Sequence, residues 1–251
     1  MNELVITEKH LKQFKMIIEA YKNTAKYPKP DNWKTLSNTE TWYWMVGQII
    51  VVGGSGGGKR FWQDPDLRKE IAFETLLKKR NNKAIKDSIH YVLREAGARY
   101  SCSDPDKCAK TKALHANFRF VSGYKNGFKD LLNTLHAMKG HNRELNRVYF
   151  LMDNLDFMKN KSARDFLMNL GMNENTLAID IRTQNIFQHL KITFPAQAAF
   201  GNRKLYESIE EAIKSSICQP LKIKPLHFDR ILYQNYFRIL KSDYYQIKLK
   251  L

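Results

Sequence analysis

Apolar residues recur along most of this chain at i, i+3, i+4 and i+7, the spacing of one helical face. Such a stripe runs through residues 202–217, and an earlier one is formed by Leu11, Phe14, Ile17, Ile18 and Tyr21. Segments 30–40 and 101–108 are rich in Pro, Asn, Asp and Ser, which favours loops. Because the sequence lacks convincing strand alternation, the pattern predicts an all-α protein.

The segment QIIVVGGSGGGKR, residues 48–60, has two interpretations. The nucleotide-binding motif GxxxxGK[ST] follows a strand, and here it is matched by Gly53, Gly58 and Lys59. Arg60 stands at the magnesium-binding position of that motif and cannot ligate a cation. A helical face is instead formed by Trp42, Val46, Ile49 and Ile50. We therefore favour a helix that ends at Gly53–Gly54 and a flexible surface loop after it, with a nucleotide hydrolase as the alternative.

Two short helices are predicted between residues 160 and 190. The first has an apolar face and ends at Gly171, with Lys161 at its start; the face is formed by Ala163, Phe166, Leu167 and Leu170. The second begins after Asp180, which can cap it, and its core face contains Ile186, Phe187 and Leu190.

Lys161 and Asp180 can carry chemistry at these helix starts. The positive pole of a helix dipole favours the neutral, nucleophilic form of a lysine and the anionic form of an aspartate. The pair would supply an attacking amine and a carboxylate that takes protons or stabilises a cation. A solvated lysine and an ordinary N-cap explain the same residues, so spacing alone leaves both interpretations open.

Composition points to a polyanionic partner. The chain has 251 residues, 43% of them hydrophobic, and a formal net charge of +17. It can therefore bury a substantial core, and its field attracts nucleic acid first and an anionic membrane second. The sequence has no signal-peptide core and no apolar run of about 18 residues, so we expect an intracellular protein, cytoplasmic or nucleoid-associated.

The cysteines indicate reduced thiols and no metal site. Their number is odd, and they are Cys102, Cys108 and Cys218. Cys102 and Cys108 lack the second close pair or histidine partner that a zinc site requires. We expect neither a metal nor a cofactor.

Several motifs together resemble the helix-hairpin-helix superfamily of DNA glycosylases, in particular its archaeal-type 8-oxoguanine DNA glycosylases. KSARDFLMNLG and LAID, at residues 161–171 and 177–180, are similar to that branch's hairpin KxAxxFLxxxG and its LAIxD segment. GARY at 97–100, with the Lys112–Ala113 pair after it, and NRELN at 142–146 resemble segments before the hairpin. Residues 205–236 resemble the closing helices, so the resemblance covers roughly residues 93–240.

The resemblance implies a fold and a domain division. The expected fold is all-α, with two helical subdomains flanking a DNA-binding cleft. One subdomain would comprise residues 1–92 and 196–251, and the catalytic helix-hairpin-helix subdomain residues 93–195. Independently of the resemblance, residues 191–201 interrupt the helical pattern and are expected to form a domain crossover.

The resemblance also implies an activity. Lys161 would attack C1′ of a nucleotide flipped out of the duplex, and Asp180 would be the catalytic carboxylate. The expected protein is a monomeric, bifunctional DNA glycosylase/lyase that acts on double-stranded DNA, with 8-oxoguanine as the first candidate base. A different modified base, such as a phage base, and a non-catalytic DNA-binding protein of this fold are the alternatives.

The sequence departs from the resembled pattern at three places. Phe157 and Lys159 replace the two hairpin glycines, so Lys159 is both a candidate phosphate contact and a rival nucleophile. The tail, residues 241–251, is basic and aromatic and unlike the usual end of the family, which leaves the excised base open. The cysteine spacing of iron–sulfur glycosylases is absent.

Aromatic and amide side chains of residues 42–48 are candidates to bind a flipped base. The predicted base-binding residues are Gln48, Trp42 and Trp44, with core packing as the alternative for the tryptophans. Gln48 is preferred because a glutamine on an apolar face needs a partner. The predicted contacts to the DNA backbone are Lys59, Arg60, Lys159, Arg99, Lys112 and Arg182.

Overall fold

The structure, a computed structural model, describes residues 4–195 and 200–242. These residues form helices, turns and loops and contain no strand, which confirms the predicted all-α class. The helices are α1 Glu8–Tyr21, α2 Asn38–Ile50, α3 Gly56–Gln63, α4 Pro65–Glu70, α5 Phe73–Leu77, α6 Asn82–Glu95, α7 Ala109–Ser122, α8 Phe128–Ala137, α9 Arg143–Asn154, α10 Asn160–Asn169, α11 Ile181–His189, α12 Arg203–Ile213, α13 Pro225–Gln234 and α14 Tyr236–Lys241.

Side-chain caps start several of these helices. Ser37 accepts from the backbone N–H of Glu40 at the start of α2, and the Glu40 carboxylate accepts from the backbone N–H of Ser37. At α6 and α12 the cap is a single hydrogen bond, which the side-chain oxygen of Asn81 or Asn202 accepts from a backbone N–H of the first turn. Such caps satisfy N–H groups that the first helical turn cannot use, and each stabilises a helix by about 1 kcal/mol.

The chain divides into two compact units, each with its own core. The hairpin unit is defined as residues 30–172 and contains α2 to α10; the terminal unit is defined as residues 1–29 and 173–251. These boundaries differ from the predicted ones after residues 92 and 195. In the structure α2 packs against α10, so residues 30–92 share the core of the hairpin helices.

Aromatic side chains fill both cores. In the hairpin unit Phe73 and Phe118 have ring centroids 5.1 Å apart, and Trp42 lies 5.9 Å from Phe118. In the terminal unit Phe14 lies 5.0 Å from Phe187 and 5.5 Å from Phe228. Full burial of such side chains stabilises a fold by about 1.5–3 kcal/mol each, which explains the apolar stripes of the sequence.

Part of two predicted segments lies outside the described residues. These are residues 196–199 of the expected crossover and residues 243–251 of the basic tail. Among the described residues, no helix is both long and apolar enough to span a membrane.

Candidate active site

The hairpin joins α9 to α10 through residues 155–159 in the hairpin unit. Asn117 of α7, which is buried, holds it by two hydrogen bonds to the backbone of Asp156. Asn117 Nδ2 donates to the Asp156 carbonyl at 2.9 Å, and the Asp156 N–H donates to Asn117 Oδ1 at 2.7 Å. Sequence reasoning missed Asn117, because its partner lies 39 residues further along the chain.

Phe157 takes the left-handed backbone conformation in this hairpin, with φ at 62°. It is one of the two positions where the resembled pattern has glycine. The left-handed conformation destabilises a residue that has a Cβ by roughly 1–2 kcal/mol. Its ring packs against the core of the hairpin unit, and its carbonyl accepts from Ser162 Oγ at 3.1 Å. The tight turn therefore persists without the glycine.

Lys161 is the second residue of α10, so its amine belongs to the first turn of a helix that begins directly after the hairpin. Its side chain is 28% exposed, and Nζ lies 2.6 Å from Oδ2 of Asp165. Lys159 precedes the helix as its N-cap residue and is exposed. The two rival amines thus have different settings, one paired with a carboxylate on its helix and one on the surface.

The end of α10 is also formed as expected. Gly171 has a φ of 69°, and its N–H donates to the carbonyl of Met168 at 3.0 Å. The N–H of Met172 donates to the carbonyl of Leu167 at 3.0 Å, which completes a Schellman motif. The predicted stop at this glycine is confirmed.

Asp180 caps α11 in the terminal unit, as predicted. Its Oδ1 accepts from the backbone N–H groups of Arg182 at 2.8 Å and Thr183 at 3.4 Å. Oδ2 lies 3.9 Å from Nη1 of Arg182, and the Arg182 guanidinium lies 4.5 Å from the centre of the Tyr233 ring. Burial lowers the pKa of Arg182, but Tyr233 and Asp180 outweigh burial and raise it. The catalytic role of Asp180 stays a prediction.

The three predicted base-binding residues differ in their surroundings. Trp42 is fully buried, and its indole N–H donates to the carbonyl of Ile71 at 2.9 Å, so Trp42 belongs to the core and does not fit a base-binding role. Trp44 is half-buried, and its ring lies 5.0 Å from that of Trp62. Gln48 is buried, and its Oε1 has no hydrogen-bond partner within the part of the chain that the structure describes. The base-binding role of Gln48 stays a prediction.

The glycine-rich segment is not a nucleotide-binding loop, because helix α2 precedes it where that motif requires a strand. The predicted surface loop is also shorter than expected. Helix α3 begins at Gly56, so Lys59 and Arg60 are helical. Gly53 has a φ of 83° and ends the turn after α2. A Cβ on Gly57 would lie 3.0 Å from Cα of Ala98, so close backbone approach explains that glycine.

The predicted DNA-backbone contacts of the hairpin unit are all exposed; they are Lys59, Arg60, Arg99, Lys112 and Lys159. Two of them have partners. Arg60 Nη2 lies 3.4 Å from Oε2 of Glu95, and Arg99 Nη1 donates to the carbonyl of Gly53 at 2.9 Å. Both contacts lie at the surface, where such interactions are weak, so a phosphate can replace them.

No disulfide joins the three cysteines, all of which lie among the described residues. Cys102 is exposed and free, and Cys108 and Cys218 are buried and free. Burial raises the pKa of the Cys218 thiol to about 12, which makes it unreactive. Within residues 4–195 and 200–242, no group of His, Cys, Asp and Glu side chains is arranged to hold a metal ion.

The fold is similar to that of solved DNA glycosylases, as two structures illustrate. The 8-oxoguanine DNA glycosylase of Methanocaldococcus jannaschii matches with a TM-score of 0.63 and 17% identity, over 91% of this chain and 92% of that chain. The 8-oxoguanine DNA glycosylase of Thermotoga maritima matches with a TM-score of 0.61 and 19% identity, over 90% and 95%. No protein-family model and no curated protein sequence matches this chain. The chain thus has the helical fold of these glycosylases.

Proposed function

We propose that this protein is a bifunctional DNA glycosylase/lyase that removes a damaged or modified base from double-stranded DNA. The observation that carries the proposal is the setting of Lys161, a partly exposed amine in the first turn of α10, directly after the hairpin. The helix start favours the neutral form of this amine and the ion pair with Asp165 favours its charged form, so the amine must lose a proton before it attacks carbon. The similar fold of solved DNA glycosylases supports the same activity.

The reaction would follow from two residues. Nζ of Lys161 loses a proton and bonds to C1′ of the flipped nucleotide, while the glycosidic bond breaks and its electron pair leaves with the base, which takes up a proton. Asp180 would accept the proton from the amine and stabilise the positive charge that develops on the sugar. The sugar ring then opens to a Schiff base, and loss of a C2′ proton expels the 3′ phosphate, which nicks the strand.

We propose 8-oxoguanine as the first candidate substrate, because both structures of similar fold are named for it. The buried Oε1 of Gln48 supports this choice. This oxygen can accept a hydrogen bond, and the N7–H group of 8-oxoguanine, which guanine lacks, could donate one to it. A base with a similar donor edge, including a phage modification, would satisfy the same oxygen.

The charge of the chain supports binding of duplex DNA by a monomer. With a net charge of +17 and exposed lysines and arginines around α3 and the hairpin, the protein would neutralise several phosphates. Backbone binding would offset the few kcal/mol that unstacking and flipping a base cost. We also propose that the protein acts inside the cell, in the cytoplasm or at the nucleoid.

Phe157 favours a second candidate, a DNA-binding protein of this fold without catalysis. The resembled hairpin offers bare N–H groups of glycine to a phosphate, and the Phe157 side chain changes that surface. Such a protein would bind damaged DNA and form no covalent intermediate.

Borohydride trapping separates these functions. Duplexes that each contain one candidate base are incubated with the protein and sodium borohydride, which reduces a Schiff base to a stable adduct. We expect an adduct with the wild type, none with Lys161→Gln, and an adduct with Lys159→Gln. An adduct that survives Lys161→Gln and disappears in Lys159→Gln would move the nucleophile to Lys159. Tight binding without any adduct would refute the bifunctional glycosylase/lyase and favour the second candidate.

A further inference from the structure

Asp165 forms a short ion pair with the proposed nucleophile. Its Oδ2 lies 2.6 Å from Nζ of Lys161, one helical turn earlier on α10. The Lys161 side chain is 28% exposed, whereas that of Asp165 is 9% exposed. The motif on which the resemblance rests leaves position 165 open, so the resemblance implies no role for this carboxylate.

Asn169 holds the same carboxylate from its other side. Its Nδ2 lies 3.2 Å from Oδ1 of Asp165, so each carboxylate oxygen has its own donor. Lys161, Asp165 and Asn169 are spaced by four residues and therefore share one face of α10. The two contacts restrict both rotation of the carboxylate and the direction from which the amine approaches it.

This arrangement is poorly explained as a device for stability. An exposed lysine–aspartate pair of this spacing contributes only about 0.3–0.5 kcal/mol. A carboxylate that is nine-tenths buried loses hydration, and its ion pair often no more than offsets that loss. Apolar residues of similar volume often stabilise a core as well as such an ion pair does. A contribution to the site is the better explanation.

Its effect on Lys161 is to restrict a mobile side chain. A lysine has four rotatable bonds and about 2 kcal/mol of rotamer entropy, which must be lost before Nζ can attack one carbon atom. The ion pair removes part of that freedom before any DNA is bound. We propose, given the glycosylase/lyase function above, that Asp165 is a positioning residue that holds Nζ of Lys161 for attack on C1′.

The test measures single-turnover trapping on a duplex with a pre-formed abasic site, whose aldehyde reacts with the amine without base recognition. Binding is measured separately with a tetrahydrofuran abasic analogue, which cannot form a Schiff base. The variants are Asp165→Asn, which removes the charge, and Asp165→Glu, which keeps it. Asp156→Asn is the matched control, because Asp156 is an exposed carboxylate of the same hairpin and the net charge changes equally.

We expect Asp165→Asn to lower the trapping rate by at least about 10-fold, and by about 100-fold if positioning is fully lost. Its affinity for the analogue should equal that of Asp156→Asn, so the loss lies in the rate and not in binding. Asp165→Glu should restore most of the rate. Trapping by Asp165→Asn at the rate of Asp156→Asn overturns the inference. Equal losses in Asp165→Asn and Asp165→Glu, together with lowered melting temperatures, also overturn it and assign Asp165 to the fold.

The wild type distinguishes failure of this inference from failure of the proposed function. If wild-type protein forms no adduct with any duplex, both are refuted together. If it forms an adduct that requires Lys161 but not Asp165, the proposed function stands and the positioning role of Asp165 is refuted.

Discussion

Arg99 donates a hydrogen bond from Nη1 to the carbonyl of Gly53, with 2.9 Å between the two atoms. The contact joins the turn after α2 to the segment after α6, 46 residues later. Gly53 has a φ of 83°, and a Cβ at this position would collide with the ring of Tyr100. The left-handed backbone is therefore the main reason for glycine at position 53, because the exposed Tyr100 ring can move.

Gly53→Ala should destabilise the protein by about 1–2 kcal/mol, because the left-handed conformation is sterically unfavourable for alanine. Tyr100 is exposed, so its ring can move aside and adds little. Gly56→Ala is the matched control, since Gly56 lies in α3 with no atom within 4 Å of the added Cβ, and it should be neutral or stabilising by up to about 1 kcal/mol. Thermal unfolding of both variants checks this; equal melting temperatures would contradict it.

At position 157 glycine should be more stable than alanine. Both Phe157→Gly and Phe157→Ala lose the packing of the ring, so their difference isolates the backbone. With φ at 62°, Phe157→Gly should exceed Phe157→Ala by about 1 kcal/mol in the free energy of unfolding.

Phe120 of α7 provides the control for this order, because it is also a half-buried phenylalanine of the hairpin unit, but in a helix. There the alanine variant should exceed the glycine variant by about 1 kcal/mol. The same order at both positions in urea unfolding would argue against strain in the hairpin.

Gln48→Met should stabilise the free protein and weaken its proposed activity. The Gln48 Oε1 atom is buried and has no hydrogen-bond partner among the described residues. An unsatisfied buried acceptor destabilises a fold by about 1–3 kcal/mol, and the substitution removes it. We therefore expect a higher melting temperature and, on a duplex with 8-oxoguanine, a lower excision rate. Trapping on a pre-formed abasic site, which needs no base recognition, should be unchanged. A loss of both rates would show that Gln48 does not act through the base.

Lys59→Ala should weaken DNA binding and reduce its salt dependence. Lys59 is exposed in α3, and each lost phosphate contact makes the negative slope of log K against log salt shallower by about 1. Lys129→Ala, which removes an exposed lysine of the same unit outside the predicted contacts, is the charge control. Fluorescence anisotropy over a salt series distinguishes them. Identical slopes for the two variants would remove Lys59 from the interface.

The contribution of Ser88 to stability should depend on pH. Ser88 Oγ donates to Oε1 of Glu70 at 2.7 Å, and Lys79 lies 3.1 Å from the same oxygen. Burial raises the pKa of Glu70, but the bonds from Ser88 and Lys79 outweigh burial and hold the pKa below the usual range of a glutamate. The hydrogen bond therefore stabilises the fold fully above the pKa of an unfolded glutamate, and it stabilises the fold less as the pH falls through the lowered pKa.

Ser88→Ala should accordingly cost about 1 kcal/mol at neutral pH and less in acid. The control is Ser122→Ala, because the Ser122 hydroxyl donates to the backbone carbonyl of Arg119 and has no carboxylate to titrate. Urea unfolding from pH 7 down to acid checks both variants. A cost for Ser88→Ala that does not vary with pH would rule out the charged hydrogen bond.

Local features of this protein followed from the sequence alone. The apolar face of α10, its stop at Gly171 and the cap of α11 by Asp180 depend on residues within one or two helical turns. Periodicity and capping are local physical chemistry, so reading along the chain predicted them correctly. The all-α class followed for the same reason.

The tertiary structure decided what depends on residues far apart in sequence. Lys110 looks like a solvated lysine, yet it is buried and donates to the carbonyls of Ile50 and Val52 at 3.1 and 2.7 Å. Its partners lie 58 to 60 residues away, where no local pattern reveals them. Three other features also depend on distant residues. They are the grouping of α2 with the hairpin, the burial of Trp42 and the hydrogen bonds between Asn117 and Asp156. Packing chooses among distant partners by shape and hydrogen bonding in three dimensions, and only the folded chain brings those partners together.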